Sequence, residues 1–228
     1  MRIVNSNPQN RRISTKDIAY FEIKKRIIEG QLHPGEPIVE ETISNELGIS
    51  RTPLREALQR LEFETLVVRQ VNGRLRVAPV SVKEVSEIFH VRSRLEGIAI
   101  LEATENATDK DLQELSNIIH MIKETPKDRA IDNILYYGGQ FHTYIYNMSR
   151  NKTVSNILYQ LNDHIHRYRR LIPTTNLDKI LKAGEEHQHI FNFMAKGDKV
   201  GAELAMIEHI LSSLDQVIKA VKAYKSFE

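Results

Sequence analysis

Pro79 separates two stretches with different apolar periods, and that change narrows the folds open to this chain more than any other feature. Before it, three short helical stripes are followed by two β-branched segments; after it, every stripe has helical spacing and is long. Tyr20, Ile23 and Ile27 mark a first helix that begins at Ser14 or Thr15 and stops at Gly30. Pro34-Gly35 turns the chain. A second helix is predicted from Glu40 to Leu47, with Ile43 and Leu47 inward, and Gly48 interrupts it before a new cap at Ser50. Leu54, Leu58 and Leu61 place one stripe on a third helix. Leu66 to Val71 and Arg74 to Pro79 then flank Asn72-Gly73, the dipeptide best suited to a tight hairpin turn. This order defines an expected unit over residues 14–79, preceded over 1–13 by a mobile arm without apolar periodicity.

Beyond Pro79 only helices are expected. Ser81-Val82-Lys83-Glu84 reads as a capping box opening a helix to about Thr104, and Thr108 caps another to about Lys123. Four more stretches follow, at about Asp128 to Ser149, Lys152 to Leu171, Asp178 to Lys196 and Asp198 to Tyr224. Thr125-Pro126, Arg150-Asn151, Pro173 and Gly197-Asp198 supply the breaks. Short connections between six helices imply an antiparallel all-α bundle over residues 80–228. A chain of 228 residues, 41% hydrophobic and 27% charged, suits one or two globular domains and excludes collagen, a disordered tail and a coiled-coil rod. The absence of cysteine rules out disulfides and thiolate zinc sites. There is neither an apolar run of membrane-spanning length nor a signal-peptide core at the N-terminus, so a cytoplasmic protein with no membrane partner is expected.

The charge is unevenly spread. Residues 1–79 carry 13 Lys or Arg against 10 Asp or Glu, whereas residues 80–228 carry 19 against 20, so the basic excess lies in front. Within Ser50-Arg51-Thr52-Pro53-Leu54-Arg55-Glu56-Ala57-Leu58, Pro53 is tolerated because first-turn amides have no intrahelical partner. Leu54, Leu58 and Leu61 bury one side of this helix, and Arg51 and Arg55 project from another, four residues apart. Such arginines can grip a guanine edge or a phosphate, while Ser50 and Thr52 can reach backbone oxygens. In the hairpin, Gly73 turns the tip and Arg74 and Arg76 share one strand face, where a wing touches the DNA backbone. The alternative is that Arg51 and Arg55 are solvated surface residues paired with Glu56 or Glu62. The preceding helix, the turn at Gly48, the hairpin and the basic excess together favour a winged helix-turn-helix.

At this point the chain closely resembles the GntR family of bacterial transcription regulators, in its FadR-like branch. The resemblance is carried by Gly30, Pro34-Gly35, Glu40, Leu47-Gly48 and the Ser50-to-Leu58 run. It continues through Val91-Arg92, Leu95-Glu96-Gly97, Phe141-His142, Asn151, Glu186-His187, Gly197-Asp198 and His209, which are similar to that branch's all-helical ligand-binding (FCD) domain. It implies a homodimeric regulator, in all expectation a repressor, that binds a palindromic operator and senses a small organic acid. Thr65 stands where a glycine is usual before the wing, and Glu41 where some members carry a DNA-contacting arginine.

The histidines follow the opposite division from the basic charge, with only His33 before Pro79. His142 shares a stripe with Leu135, Gly138, Ile145 and Tyr146, and His187 with Ile190, Phe191 and Met194, so both are expected to face the bundle interior; His189 points away and His209 lies at a stripe edge. Neutral imidazoles suit zinc or nickel, and the three positions match metal-binding histidines of the branch. Gly138 replaces the branch's usual Asp or Asn ligand one turn before His142. The alternative for each histidine is a hydrogen-bonded core role. His164, on a stripe with Ile157, Leu161, Tyr168 and Leu171, is a candidate substitute ligand or effector contact. Arg92 has largely apolar helical neighbours and needs an anionic partner, either Glu96 one turn on or an organic acid. Two other functions remain open: a purely structural dimerising bundle, and a metal hydrolase using Glu185 or Glu186 as base.

Overall fold

The apolar stripes meet in two separate cores in the structure of the chain, a computed structural model that describes residues 13–124, 130–172 and 177–226. The arm before Ile13 and the breaks at Thr125-Pro126 and Pro173 lie outside the described residues. The chain divides into two compact units, Met1–Pro79 and Val80–Glu228.

In the first unit, α1 (Thr15–Ile28) starts where Ser14 accepts a hydrogen bond from the Asp17 amide, and it buries Ala19, Tyr20, Ile23 and Ile27. That face packs on Leu54, Leu58 and Leu61 of α3 (Arg51–Phe63), which follows α2 (Glu40–Leu47). Ser50 has the extended backbone of an N-cap, but its hydroxyl makes no capping bond, contrary to expectation. At the other end of α3, the amides of Thr65 and Leu66 bond back to the carbonyls of Glu62 and Leu61, closing a helix-terminating motif in which Thr65 takes φ 56°. The hairpin strands are shorter than predicted: β2 is Val67–Arg69 and β3 is Leu75–Val77, joined by Gln70 to Arg74 through the turn at Gly73. A further strand that periodicity could not announce, β1 (Pro37–Ile38), pairs with the free side of β3, giving the antiparallel order β1-β3-β2. Two residues are too few to show alternation, yet they bury Ile38 opposite Leu75.

The second unit contains α4 (Val82–Asn106), α5 (Asp109–Lys123), α6 (Ala130–Ser149), α7 (Lys152–Arg169), α8 (Leu177–Ala195) and α9 (Lys199–Lys225). Its long central helix α4 packs along α9 and also touches α6 and α7, while α5 and α8 close over α6. Ser81 caps α4 by accepting from the Glu84 amide, but the expected reciprocal half of the capping box is absent. Glu84 instead receives the Tyr168 hydroxyl at 2.7 Å, and the Ser81 amide donates to Tyr168 at 3.1 Å. The complete box lies one helix later, between Thr108 and Asp111. The fold is mainly α, a winged helix-turn-helix followed by a helical bundle, as the periodicity predicts. Among the described residues no helix is long and apolar enough to cross a membrane.

Candidate functional site

Burying one side of α3 leaves Ser50, Arg51, Thr52 and Arg55 exposed at its N-terminal half. Neither arginine pairs with Glu56 or Glu62: Glu56 holds Lys16 and Glu62 holds Arg69. Their partners come from the start of α2. The Arg55 Nε donates to Glu40 Oε2 at 2.8 Å, and the Arg51 Nη2 lies 3.6 Å from Glu41 Oε2. On the hairpin, Leu75 and Val77 point into the core, so Arg76 between them points out. The Gln70 amide, turned so that its oxygen faces Arg76, accepts from that guanidinium at 3.0 and 3.2 Å. Gly73 takes φ 79° at the tip, and the Arg74 amide is held by Asn72 Oδ1 at 3.0 Å, leaving the Arg74 side chain exposed beside it. A helix presenting cations beside a basic hairpin is a surface for the phosphates and base edges of a duplex.

The second unit carries a different chemistry. His142 on α6, His187 on α8 and His209 on α9 are buried, and one ring nitrogen from each lies within 4.8 Å of the others. Two of the rings are anchored from behind. His142 Nδ1 meets Glu96 Oε2 at 2.5 Å, and His209 Nδ1 meets Glu186 Oε2 at 2.7 Å. Burial pushes the pKa of all three histidines down, and for His187 and His209 it is joined by their cationic and imidazole neighbours. In the neutral ring each Nδ1–H donates to its carboxylate, which leaves both Nε2 lone pairs bare and facing each other across 3.3 Å. Both nitrogens of His187 are buried, and among the described residues neither has a hydrogen-bond partner. A Cβ built on Gly138 would lie 3.4 Å from His187 Cε1, in ordinary van der Waals contact, so the His187 ring packs beside this glycine, which offers it no carboxylate.

Glu96 ties this centre to Arg92. Its Oε1 receives Arg92 Nε at 2.6 Å and the Tyr146 hydroxyl at 2.7 Å, in addition to His142 on Oε2. Burial works against the Glu96 charge, but Arg92 and His142 outweigh it and hold the carboxyl well below the usual range. The intrahelical partner expected for Arg92 is therefore present, while its Nη1 is buried and makes no hydrogen bond among the described residues. Sequence reasoning missed two further buried cations on α7, Arg167 and Arg169, and the Nη2 of Arg169 reaches Ser213 at 3.4 Å. Burial, and then the Arg92 charge, bring its pKa down to about 9. It missed His166 too, whose ring lies 3.5 Å from the Cβ position of Gly139 and whose pKa falls to about 4 through burial. His164, the predicted substitute, stands 3.9 Å from Glu84 and is not in the three-histidine group. A cleft of about 330 Å³, lined by Glu185, Glu186, Glu208, His189 and Ser212, reaches His209 from outside.

Comparison with known proteins agrees with both halves of this description. Residues 15–77 match the bacterial regulatory proteins of the gntR family, and residues 87–212 match the FCD domain. The chain belongs to the GntR family. It is 30% identical over 196 residues to the uncharacterized HTH-type transcriptional regulator YdhC of Bacillus subtilis, covering 83% of this chain and 85% of that protein. It is also 30% identical over 122 residues to the gluconate operon transcriptional repressor of the same species, over 54% of this chain and 50% of that one. The solved structure of E. coli McbR/YncC shares the fold, with a TM-score of 0.76 at 21% identity over 95% of this chain and 100% of that chain. This GntR protein is thus a DNA-binding transcription regulator and not an enzyme.

Proposed function

We propose that this regulator is a homodimeric, cytoplasmic repressor that binds a palindromic operator and responds to a small carboxylate through a divalent metal held on three histidines. One observation carries the metal: two imidazoles fixed on carboxylates turn bare Nε2 atoms toward each other at 3.3 Å. Facing lone pairs repel unless a cation lies between them. The separation suits two nitrogens bound to one ion at about 2.1 Å each. The donor set fits zinc or nickel, with His142, His187 and His209 as ligands and Glu96 and Glu186 orienting two of the rings. When bound, the metal would supply a Lewis-acid position that a carboxylate or hydroxyl oxygen can complete. The Nη1 of Arg92, which makes no hydrogen bond among the described residues, and the charge of Arg169 both act on the histidine centre and favour an anion near it. Repression is supported by the naming of one relative as an operon repressor. Dimerisation through the helical unit is supported by the exposed apolar side chains Val91 and Ile98 on α4 and Val200, Leu204 and Leu211 on α9.

Elemental analysis and zinc titration of the full-length protein test the metal. About one ion per chain is expected, with affinity lost in His142→Ala and in His209→Ala. Equal affinity in wild type and both variants would remove the proposed centre.

A further inference from the structure

The two arginines of the recognition helix are held in different ways. Glu41 approaches Arg51 at a terminal nitrogen, at 3.6 Å, a distance too long for a hydrogen bond. Glu40 instead engages the inner nitrogen of Arg55, Nε, at 2.8 Å. Among the described residues, Arg55 Nη1 and Nη2 make no hydrogen bond, and the side chain is 64% exposed. An arginine gripped at Nε keeps both outer N–H groups in one plane and aims them as a fork. That fork matches the O6 and N7 acceptors of guanine in the major groove. Left alone, a side chain this exposed would sample many rotamers and would meet phosphate as readily as a base edge.

Glu40 is well placed to give this support. It is the first residue of α2, where a carboxylate is favoured by the helix dipole, and its side chain is 29% exposed, far less than that of Arg55. The dipole accounts for acidic residues at this helix start. It does not account for the bond to Arg55 Nε. A carboxylate facing the duplex also costs affinity for every sequence, because it repels phosphate. A group that weakens binding to all sequences and orients one reading side chain acts on specificity.

We propose that Glu40 is a specificity-determining positioning residue: by holding Arg55 Nε it aims the Arg55 fork at one guanine in each half-site. Arg51, which Glu41 holds only loosely and from the end, takes no part in that guanine preference.

The test selects binding sites from a pool of random-sequence duplexes with the full-length protein, and compares wild type with Arg55→Ala, Glu40→Ala, Glu40→Gln and Glu41→Ala. Wild type should select sites with one strongly preferred guanine that Arg55→Ala no longer prefers. Glu40→Ala should relax preference at that same position by roughly tenfold while leaving the other positions as they were. Its affinity for an unselected duplex should rise, since a negative charge has gone. Glu40→Gln keeps an oxygen acceptor for Nε and should recover most of the preference. Glu41→Ala should raise affinity for all duplexes without altering the guanine position. The proposal is overturned if Glu40→Ala selects the wild-type sites with undiminished guanine preference. It is equally overturned if that variant loses preference evenly at all positions, if Glu41→Ala relaxes the same guanine, or if Arg55→Ala leaves every position unchanged.

Discussion

Thr65 shows how one residue can be wrong for its backbone and still be tolerated. It occupies the left-handed position that ends α3, with φ 56°, where a β-branched side chain is strained. Thr65→Gly should therefore stabilise the first unit by about 1 kcal/mol, less the entropy that glycine adds to the unfolded chain; a lower melting temperature for the variant would contradict this. His166 sets a pH dependence. Burial holds its folded pKa at about 4, against an ordinary value near 6.5. Below pH ~6.5 the unfolded chain takes up a proton that the folded one refuses. Stability is thus full above that pH and falls as pH drops toward 4, by up to about 3 kcal/mol. Metal-free His166→Gln should show a shallower loss of unfolding free energy than wild type over that window, as followed by urea denaturation. Arg92 shares Glu96 with His142, so Arg92→Ala strands a buried carboxylate and should cost about 3–5 kcal/mol while loosening the anchored ring. Arg92→Ala with wild-type stability and wild-type zinc affinity would show that this linkage carries no energy.

At the scale of elements, what was legible depended on whether hydrophobicity alone determines the outcome. The end of α2 at Gly48 and the start of α5 at Thr108 agree with the glycine stop and the cap, because those signals are local. The two-residue β1 left no period to read, and its pairing depends on β3, far along the chain. Helix α7 departs from its apolar stripe. Its interior face carries Ser155 and Arg169 beside Leu158 and Ile165, and Arg167 is buried on another side, whereas Ile157, on the apolar stripe with His164, is 39% exposed. A stripe drawn through apolar residues cannot find polar groups that the fold buries, so Arg169 and His166 were invisible while His142 and His187, set among apolar neighbours, were not. The role of α3 is open to measurement in the same terms. Arg51→Ala and Arg55→Ala should each cost roughly 1–3 kcal/mol on a selected duplex if the side chain reads a base, and Arg76→Ala should weaken all duplexes alike. Anisotropy titrations at fixed salt distinguish the two patterns, and unaltered affinity in both helix variants would displace α3 from the groove.

For the whole molecule, the division of labour between the two units sets the expectations. In the proposed dimer two recognition helices share the operator, since one alone covers too few base pairs for useful specificity, and the exposed α4 and α9 side chains of the helical unit offer the apolar surface for pairing. Leu204→Asp should shift the protein toward monomer in equilibrium sedimentation and weaken operator binding together with it. A dimer of unchanged affinity would move the interface elsewhere. A sensor also requires that the ligand favour one arrangement of the dimer over another, because equal affinity for both shifts nothing. The measurement that tests this most directly is the affinity of full-length protein for its selected duplex across a zinc titration from the metal-free state, with wild type beside His187→Ala. The account predicts that wild-type affinity changes along a saturable one-site curve and that His187→Ala stays flat; a flat wild-type curve, or the same curve in both proteins, would contradict it.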